Sequence, residues 1–270
     1  MKKYFPLVSI IVNCHNGEKF LKECIQSIID QTYKNWEIIF WDNRSSDNSY
    51  KIVSGFKDRR IKKFQSGTFH KLYKSRNLAI KKCKGEYISF LDTDDKWIKD
   101  KLSKQVKTIK KDNKIKIVYS NYFFLFNKKN QKNKKLKRYF KKLPSGFITQ
   151  ELLNSYDIGI LTTLIDRKLF SEYQFNASYN VIGDFDYFIN SSLKYKIKAI
   201  QKPLAIYRVH DDNFSSKKID VYIIELANWL KDNSKKKLFK NYSFQAIKIL
   251  LLKLKIKFYI KRYFKLKLGV

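Results

Sequence analysis

The chain has 270 residues, enough to bury a substantial core in one domain, and its 44% hydrophobic and 16% aromatic content excludes wholesale disorder. Its 58 Lys and Arg against 24 Asp and Glu give a formal net charge of +34. That charge calls for an anionic partner (nucleic acid, an acidic membrane face, a phosphorylated substrate) or reflects a lysine-rich compositional bias, and by itself names no function. Three cysteines, Cys14, Cys24 and Cys83, are too few and too scattered for a disulfide framework or a zinc site, which points to a reducing compartment.

In chain order, "MKKYFPLVSIIVNCHNGE" meets polar residues too early for a secretory signal, and no window of about 20 uncharged apolar residues follows. A cytoplasmic protein is therefore expected, with any membrane contact peripheral. "LVSIIVN" (7–13) reads as a buried strand, and Asn16 as the N-cap of a helix from Gly17 to Asp30. "WEIIFW" (36–41) is a second strand, followed by the polar turn "DNRSSDNS" (42–49), in which Asp47 is a helix cap. "RIKKF" (60–64) is a short strand, and "KLYKSRNLAIKKCKG" (71–85) a helix closed by Gly85. "EYISFL" (86–91) and "KIVYSNYFFLF" (116–126) are further strands. Residues 127–142 hold nine Lys or Arg and no acid, and read as a basic loop or insertion. "GDFDYFINSSLKYKI" (183–197) opens a helix with acids in its first turn, and 198–210 gives two short strands broken around Pro203.

Strands alternating with helices, on near-continuous apolar runs, predict an α/β fold with a mostly parallel sheet covered on both faces. In such sheets ligands bind beyond the carboxyl ends of the strands. Asn13, Asp42 and Asp92 each follow a predicted strand directly, which places them at one edge. The acids of "LDTDD" (91–95) are costly at the end of a buried strand unless something neutralises them. A helix dipole is one solution. A divalent cation such as Mg²⁺ or Mn²⁺, held by one or two carboxylates and a substrate phosphate, is the other.

From Asn233 to Val270 there are twelve basic residues and no acid. Ile247, Leu250, Leu251, Leu254 and Phe258 form a helical stripe, yet "LKLKIKF" (252–258) alternates with period two. A basic apolar helix suits a membrane interface; a terminal helix packed on the core under its lysine stems is the alternative. The chain divides provisionally into a domain over 1–215 and a basic C-terminal helical extension over 216–270.

Residues 8–49, "VSIIVNCHNGEKFLKECIQSIIDQTYKNWEIIFWDNRSSDNS", resemble the N-terminal half-site of the family-2 glycosyltransferases, which have the GT-A fold, a Rossmann-like sheet flanked by helices. "SRNLAIKKCKGEYISFLDTDDKW" (75–97) looks like the Ala-Arg-Asn segment and D-x-D motif of that family, and 183–215 is similar to the region bearing its catalytic base and its Tyr-Arg-x-His segment. The resemblance covers roughly residues 6–215 in the family's order. It implies an inverting transfer of one sugar from a nucleotide-diphosphate sugar to an acceptor hydroxyl, with a divalent cation, Mg²⁺ or Mn²⁺, as cofactor. It implies donor-nucleotide contacts from Asn13, His15, Asp42, Arg76 and Asp92, metal ligation by Asp94, Asp95 and His210, and Asp184 as the catalytic base. Arg208 serves the diphosphate or pairs with an acid.

Departures stand beside the match. Asn13, Cys14 and His15 replace the usual Pro, Thr and Tyr; Asn43 and Arg44 replace an Asp and a Gly; Gly183 replaces the Glu before the base. These leave donor base and sugar open. The Gln-x-x-Arg-Trp segment of processive synthases is not seen, which favours single addition. A glycan or lipid-linked acceptor at an anionic membrane face is the implied setting, in bacterial surface polysaccharide assembly. A nucleic-acid-binding protein is the alternative from another class, but the carboxylates at the strand ends would repel phosphates. A degenerate transferase fold acting as an assembly partner is a third reading.

Overall fold

Val8–Cys14 (β1) and Trp36–Asp42 (β2) lie side by side in parallel, from Val8 opposite Trp36 to Cys14 opposite Asp42. Ile61–Gln65 (β3) joins the far side of β2 and Tyr87–Phe90 (β4) the far side of β1, so β3-β2-β1-β4 is an all-parallel block. β1 and β2 are buried along almost their whole length because Glu18–Ile29 (α1), Ser49–Gly55 (α2) and Leu72–Ile80 (α3) cross over between the strands and cover the sheet, whereas the edge strand β3 exposes Lys62, Lys63 and Gln65. The structure, a computed structural model, describes residues 4–126, 134–210 and 218–267.

The remaining strands are Lys96–Trp97 (β5), Ile115–Phe126 (β6), Lys134–Lys137 (β7), Leu164–Asp166 (β8) and Lys196–Val209 (β9). Leu164–Asp166 runs antiparallel to both β4 and β6, which makes the sheet mixed beyond the parallel block. β6 and β9 pair in parallel along most of their length, β5 lies antiparallel to β9, and β7 folds back on β6. Lys101–Ile109 (α4), Thr149–Asn154 (α5), Leu169–Glu172 (α6), Gly183–Lys194 (α7), Ile219–Asn233 (α8) and Gln245–Lys267 (α9) complete the chain.

Several expectations are corrected here. β9 is one strand, not two: its register slips around Asn121 and Pro203, and an irregularity of this kind accommodates a residue without an N–H. In the basic segment 127–142, residues 127–133 lie outside the described residues, and Lys134–Lys137 pair with Phe123–Phe126 as a strand rather than a solvated loop. Asn16 does not cap α1. It has φ 54°, and its Oδ1 accepts the Ser46 N–H at 2.8 Å. Asp47 serves two helix starts instead, taking the N–H of Glu18 at 3.0 Å and of Ser49 at 2.9 Å.

The segment beyond residue 215 contributes to the core. Leu226, Trp229, Phe239, Phe244, Ile247 and Leu251 share one buried cluster with Ile11, Phe90 and Phe188 of the sheet and α7. Each such apolar side chain, fully buried, stabilises by about 1.5–3 kcal/mol. Among the described residues no helix is long and apolar enough to cross a membrane.

Candidate active site

The parallel block sets the site. β1, β2 and β4 end at one edge, so the chain leaves the sheet there at Asn13–Cys14, at Asp42 and at Leu91–Asp92. Asp42 is 1% exposed; its Oδ1 accepts the Ser45 N–H at 3.1 Å and its Oδ2 accepts from Gln65 Nε2 at 3.3 Å. Asn13 lies one residue before the end of β1, and both atoms of its amide are enclosed without a hydrogen-bond partner. Orphaned amide atoms of this kind are costly, and leave Asn13 free to take a partner at the strand end. His15 is exposed, with Nδ1 at 3.1 Å from the Asn43 carbonyl and its ring edge-on to Phe69 at 4.7 Å.

The turn after β2 explains two departures from the family pattern. Asn43 Nδ2 donates to the His70 carbonyl at 2.7 Å while its Oδ1 accepts the His70 N–H at 3.1 Å. An amide makes both bonds; a carboxylate makes one and repels the carbonyl. Arg44 has φ 62°, the left-handed conformation that favours glycine, so the turn keeps its shape although glycine is replaced.

Helix α3 links the two halves of the site. Arg76 donates from Nη2 to Asp92 Oδ1 at 2.8 Å, its side chain buried and that of Asp92 38% exposed. Burial works against the guanidinium charge, but Asp92, Tyr73 and Asp184 outweigh it and hold its pKa above the usual arginine value. One turn earlier, the Tyr73 hydroxyl lies 2.9 Å from the Val181 carbonyl and 3.1 Å from Asp184 Oδ1. Residues 73 and 76 project from one face of a helix. That face brings the D-x-D strand end and the first turn of α7 together, across 92 residues of sequence.

Asp184 is the second residue of α7. Burial raises its carboxyl above the ordinary carboxylate value, against the Arg76 charge and hydrogen bonds from the Phe185 N–H and Tyr73. Asp186 faces elsewhere: its carboxylate takes Trp229 Nε1–H at 2.8 Å, with Tyr173 and Asn190 also bound. Gly183 has no room for a side chain. A Cβ there would stand 2.5 Å from the Tyr73 ring, so the ring fills the space beside the residue where the family carries Glu.

At the other end, β9 delivers Arg208 and His210 to the D-x-D turn. His210 Nε2 and Asp94 Oδ2 are 3.0 Å apart. Arg208 gives its backbone N–H to Asp95 Oδ1 at 2.8 Å, its Nε–H to the Asp94 carbonyl at 2.9 Å and Nη2 to Glu23 at 3.0 Å. It is thus paired with an acid and braces the turn. Burial, with like charge from Asp92, raises the Asp94 carboxyl, and His210 opposes the rise. Asp95 is 2% exposed, with Oδ2 enclosed and unpartnered; burial and the charges of Asp94 and Asp92 push it well above the carboxylate range. Among the described residues no three His, Cys, Asp or Glu side chains group as a metal cage. Asp94 and His210 offer two adjacent donors, which fits Mg²⁺ or Mn²⁺ completed by diphosphate oxygens and water.

Glu225 and Tyr73 escape any reading of the sequence. The Glu225 carboxylate accepts three consecutive backbone N–H groups, from Asn180 at 2.6 Å, Val181 at 2.9 Å and Ile182 at 3.2 Å. No motif marks it, since it comes from a different helix 40 residues downstream.

A parallel block with carboxylates at its strand ends, and a buried acid opposite them on a helix start, defines a nucleotide-dependent transferase fold of the GT-A type. Residues 9–190 match the model of the family described as glycosyl transferase family 2, and the chain belongs to that family. It is 36% identical over 169 residues to the Escherichia coli UDP-Glc:alpha-D-GlcNAc-diphosphoundecaprenol beta-1,3-glucosyltransferase WfgD, covering 63% of this chain and 64% of that protein. It is 32% identical over 228 residues to WfaP, an Escherichia coli protein of the same described activity, covering 83% of this chain and 86% of that protein. The chain thus spans about 64% of the length of the first of these relatives. The mannosyltransferase PcManGT from Pyrobaculum calidifontis, solved with GDP-Man and Mn²⁺, superposes with a TM-score of 0.65 at 15% identity, covering 92% of this chain and 70% of that one.

Proposed function

We propose that this protein is an inverting glycosyltransferase that moves a single sugar from a nucleotide-diphosphate sugar to a hydroxyl of a lipid-linked glycan acceptor. The observation that carries the reading is α3, which holds Asp92 through Arg76 and Asp184 through Tyr73. Asn13, His15 and Asp42, at the ends of β1 and β2, would meet the nucleobase. Asp92 takes the ribose, with Arg76 fixing its carboxylate. UDP-glucose is the first donor to test, because both Escherichia coli relatives carry it in their names.

Asp94 and His210 would hold the divalent cation, and Asp95, buried beside them, braces the turn. The chemistry a cation would supply there is neutralisation of the charge that develops on the leaving diphosphate. Asp184 accepts the proton of the acceptor hydroxyl; its raised pKa makes it a stronger base than an exposed carboxylate. A single general base with no covalent nucleophile in the scheme gives inversion, by the logic that distinguishes glycoside-cleaving carboxylates. The setting is the cytoplasmic face of an anionic membrane, where a lipid-diphosphate acceptor is presented and positive charge is attracted.

Calorimetric titration of UDP, GDP, CDP and dTDP, each with Mn²⁺, Mg²⁺ or chelator, tests the reading. Metal-dependent binding of one diphosphate supports it and names the base. A folded sample that binds none of them overturns it.

A further inference from the structure

Helix α9 has two apolar faces. Ile247, Leu251 and Leu254, spaced i, i+4, i+7, pack on the core, with Ile247 and Leu251 buried, and half-buried Phe258 continues that side at i+11. On the opposite side, Ile249, Leu252, Ile256 and Ile260, spaced i, i+3, i+7, i+11, and Tyr259 beside them are between 44% and 64% exposed. At about 100° per residue, Lys253 and Lys257 fall along one border of this outer face and Lys248 and Lys255 along the other. All four lysines are exposed. The period-two run "LKLKIKF" arises from this arrangement: it is a helix whose two apolar faces are separated by lysine rows.

We infer that the outer face of α9 docks on an anionic lipid bilayer, in the plane of the interface. A narrow apolar strip bordered by lysines on both sides matches a layer of acyl chains under acidic headgroups: the strip enters the hydrocarbon boundary while lysine stems carry their ammonium groups back to the headgroups. Charge agrees, since no acid occurs after Asn233 in the chain. The inner face stays occupied by α8 and α5, so docking requires no unfolding of the core. This deepens the proposed action on a lipid-linked acceptor by naming the surface that meets the membrane. The surface itself is read from α9 alone.

The test is flotation of the full chain with vesicles of phosphatidylcholine alone or with phosphatidylglycerol, beside UDP binding with Mn²⁺. The chain is expected to float with the anionic vesicles and to lose this in high salt. Leu252→Ser with Ile256→Ser is expected to lower partitioning at least about tenfold, since both residues lie outside the core. Lys253→Gln with Lys257→Gln is expected to lower it about fivefold per lysine on anionic vesicles only. Unchanged UDP binding in both pairs shows that the fold survives. Equal flotation of wild type and both pairs overturns the inference, as does a dimer in solution that the Leu252/Ile256 pair dissolves, because a second copy then covers the face. Vesicle binding without UDP binding keeps the surface and removes the transferase reading.

Discussion

The Glu225 carboxylate accepts the backbone N–H of Val181 at 2.9 Å, which fastens a helix from beyond residue 215 to the turn that presents Asp184. Four residues further along α8, Trp229 donates to Asp186 at 2.8 Å, so one face of that helix grips the start of α7 twice. Asp184, the proposed base, is thus held through its turn by α8 and directly by Tyr73 of α3. The placement of Asp184 therefore depends on a segment that lies outside the family match.

Glu225→Ala leaves three N–H groups of that turn without their acceptor, at about 1–3 kcal/mol for each that water does not reach. The expected outcome is a lower Tm and a transfer rate reduced by about 100-fold, the scale of a misplaced catalytic group. Donor-diphosphate affinity should stay within about twofold, because Asp42, Arg76 and Asp92 are untouched. Glu225→Gln, which retains one accepting oxygen, should fall between. Equal loss of affinity and turnover in both variants would assign Glu225 to general stability alone.

The buried carboxyl of Asp184 couples function to stability with a definite sign. Its folded pKa lies above the unfolded value because burial disfavours the charge. Between the two values the folded state binds more protons, so stability falls as pH rises through that window. Above it, the ionised carboxylate costs stability in full; below the unfolded value the cost is absent. Asp184→Asn should therefore raise Tm at neutral pH, with the gain vanishing in acid, while transfer drops by about 10²–10⁴-fold. Wild-type turnover should decline on acidification at a pH above the ordinary carboxylate range, as the base takes up its proton. Thermal melts at neutral and acidic pH, paired with rates, check both. A variant less stable than wild type at neutral pH contradicts the assignment.

The parallel block was legible because β1, β2 and β4 are largely apolar runs and its strand-end polar residues sit in family order. The antiparallel β8, three residues long, was not, since a strand that short carries no periodicity. Pro203 misled for a physical reason: a proline breaks a regular ladder, but the register shift beside Asn121 had already opened it. Lys101 illustrates what no one-dimensional pattern shows. A lysine in the first turn of α4, it is nevertheless fully buried, donating to Ser89 at 2.9 Å, Gln105 at 2.7 Å and the Thr163 carbonyl at 3.2 Å, with Nζ 3.9 Å from the Trp97 ring centroid. In the site, Asp42 and Asp92 announce themselves by following strands, whereas Tyr73 and Glu225 act through tertiary contacts to residues more than 40 positions away.

Asn43 replaces the second acid of the nucleobase turn, and its two bonds to His70 give that replacement a consequence. Asn43→Asp, which restores the family residue, should destabilise this protein by about 1–3 kcal/mol, because the new carboxylate faces the His70 carbonyl at a site 6% exposed. The loop carrying Phe69 and His70 should loosen beside His15, weakening UDP binding about tenfold, the factor that follows from about 1.4 kcal/mol. Calorimetry and denaturant unfolding measure the two effects separately. Unchanged affinity in Asn43→Asp would remove this loop from the donor pocket.

Neighbouring acids in the D-x-D turn are expected to respond oppositely to the same substitution. Asp94 meets His210 at 3.0 Å with part of its carboxylate open, whereas Asp95 is enclosed and holds the Arg208 N–H. If Asp94 and His210 carry the cation, Asp94→Asn should reduce UDP affinity in Mn²⁺ by at least about tenfold, to the level seen with chelator. His210→Ala should do so partially, since carboxylate and diphosphate oxygens remain. Asp95→Asn should keep the Mn²⁺ dependence: the amide oxygen still accepts the Arg208 N–H, and removing a buried charge beside Asp94 relieves repulsion. Its Tm should hold or rise. Calorimetry of all three variants in Mn²⁺ and in chelator decides between a ligand and a brace, and loss of metal dependence in Asp95→Asn would return Asp95 to the ligand set.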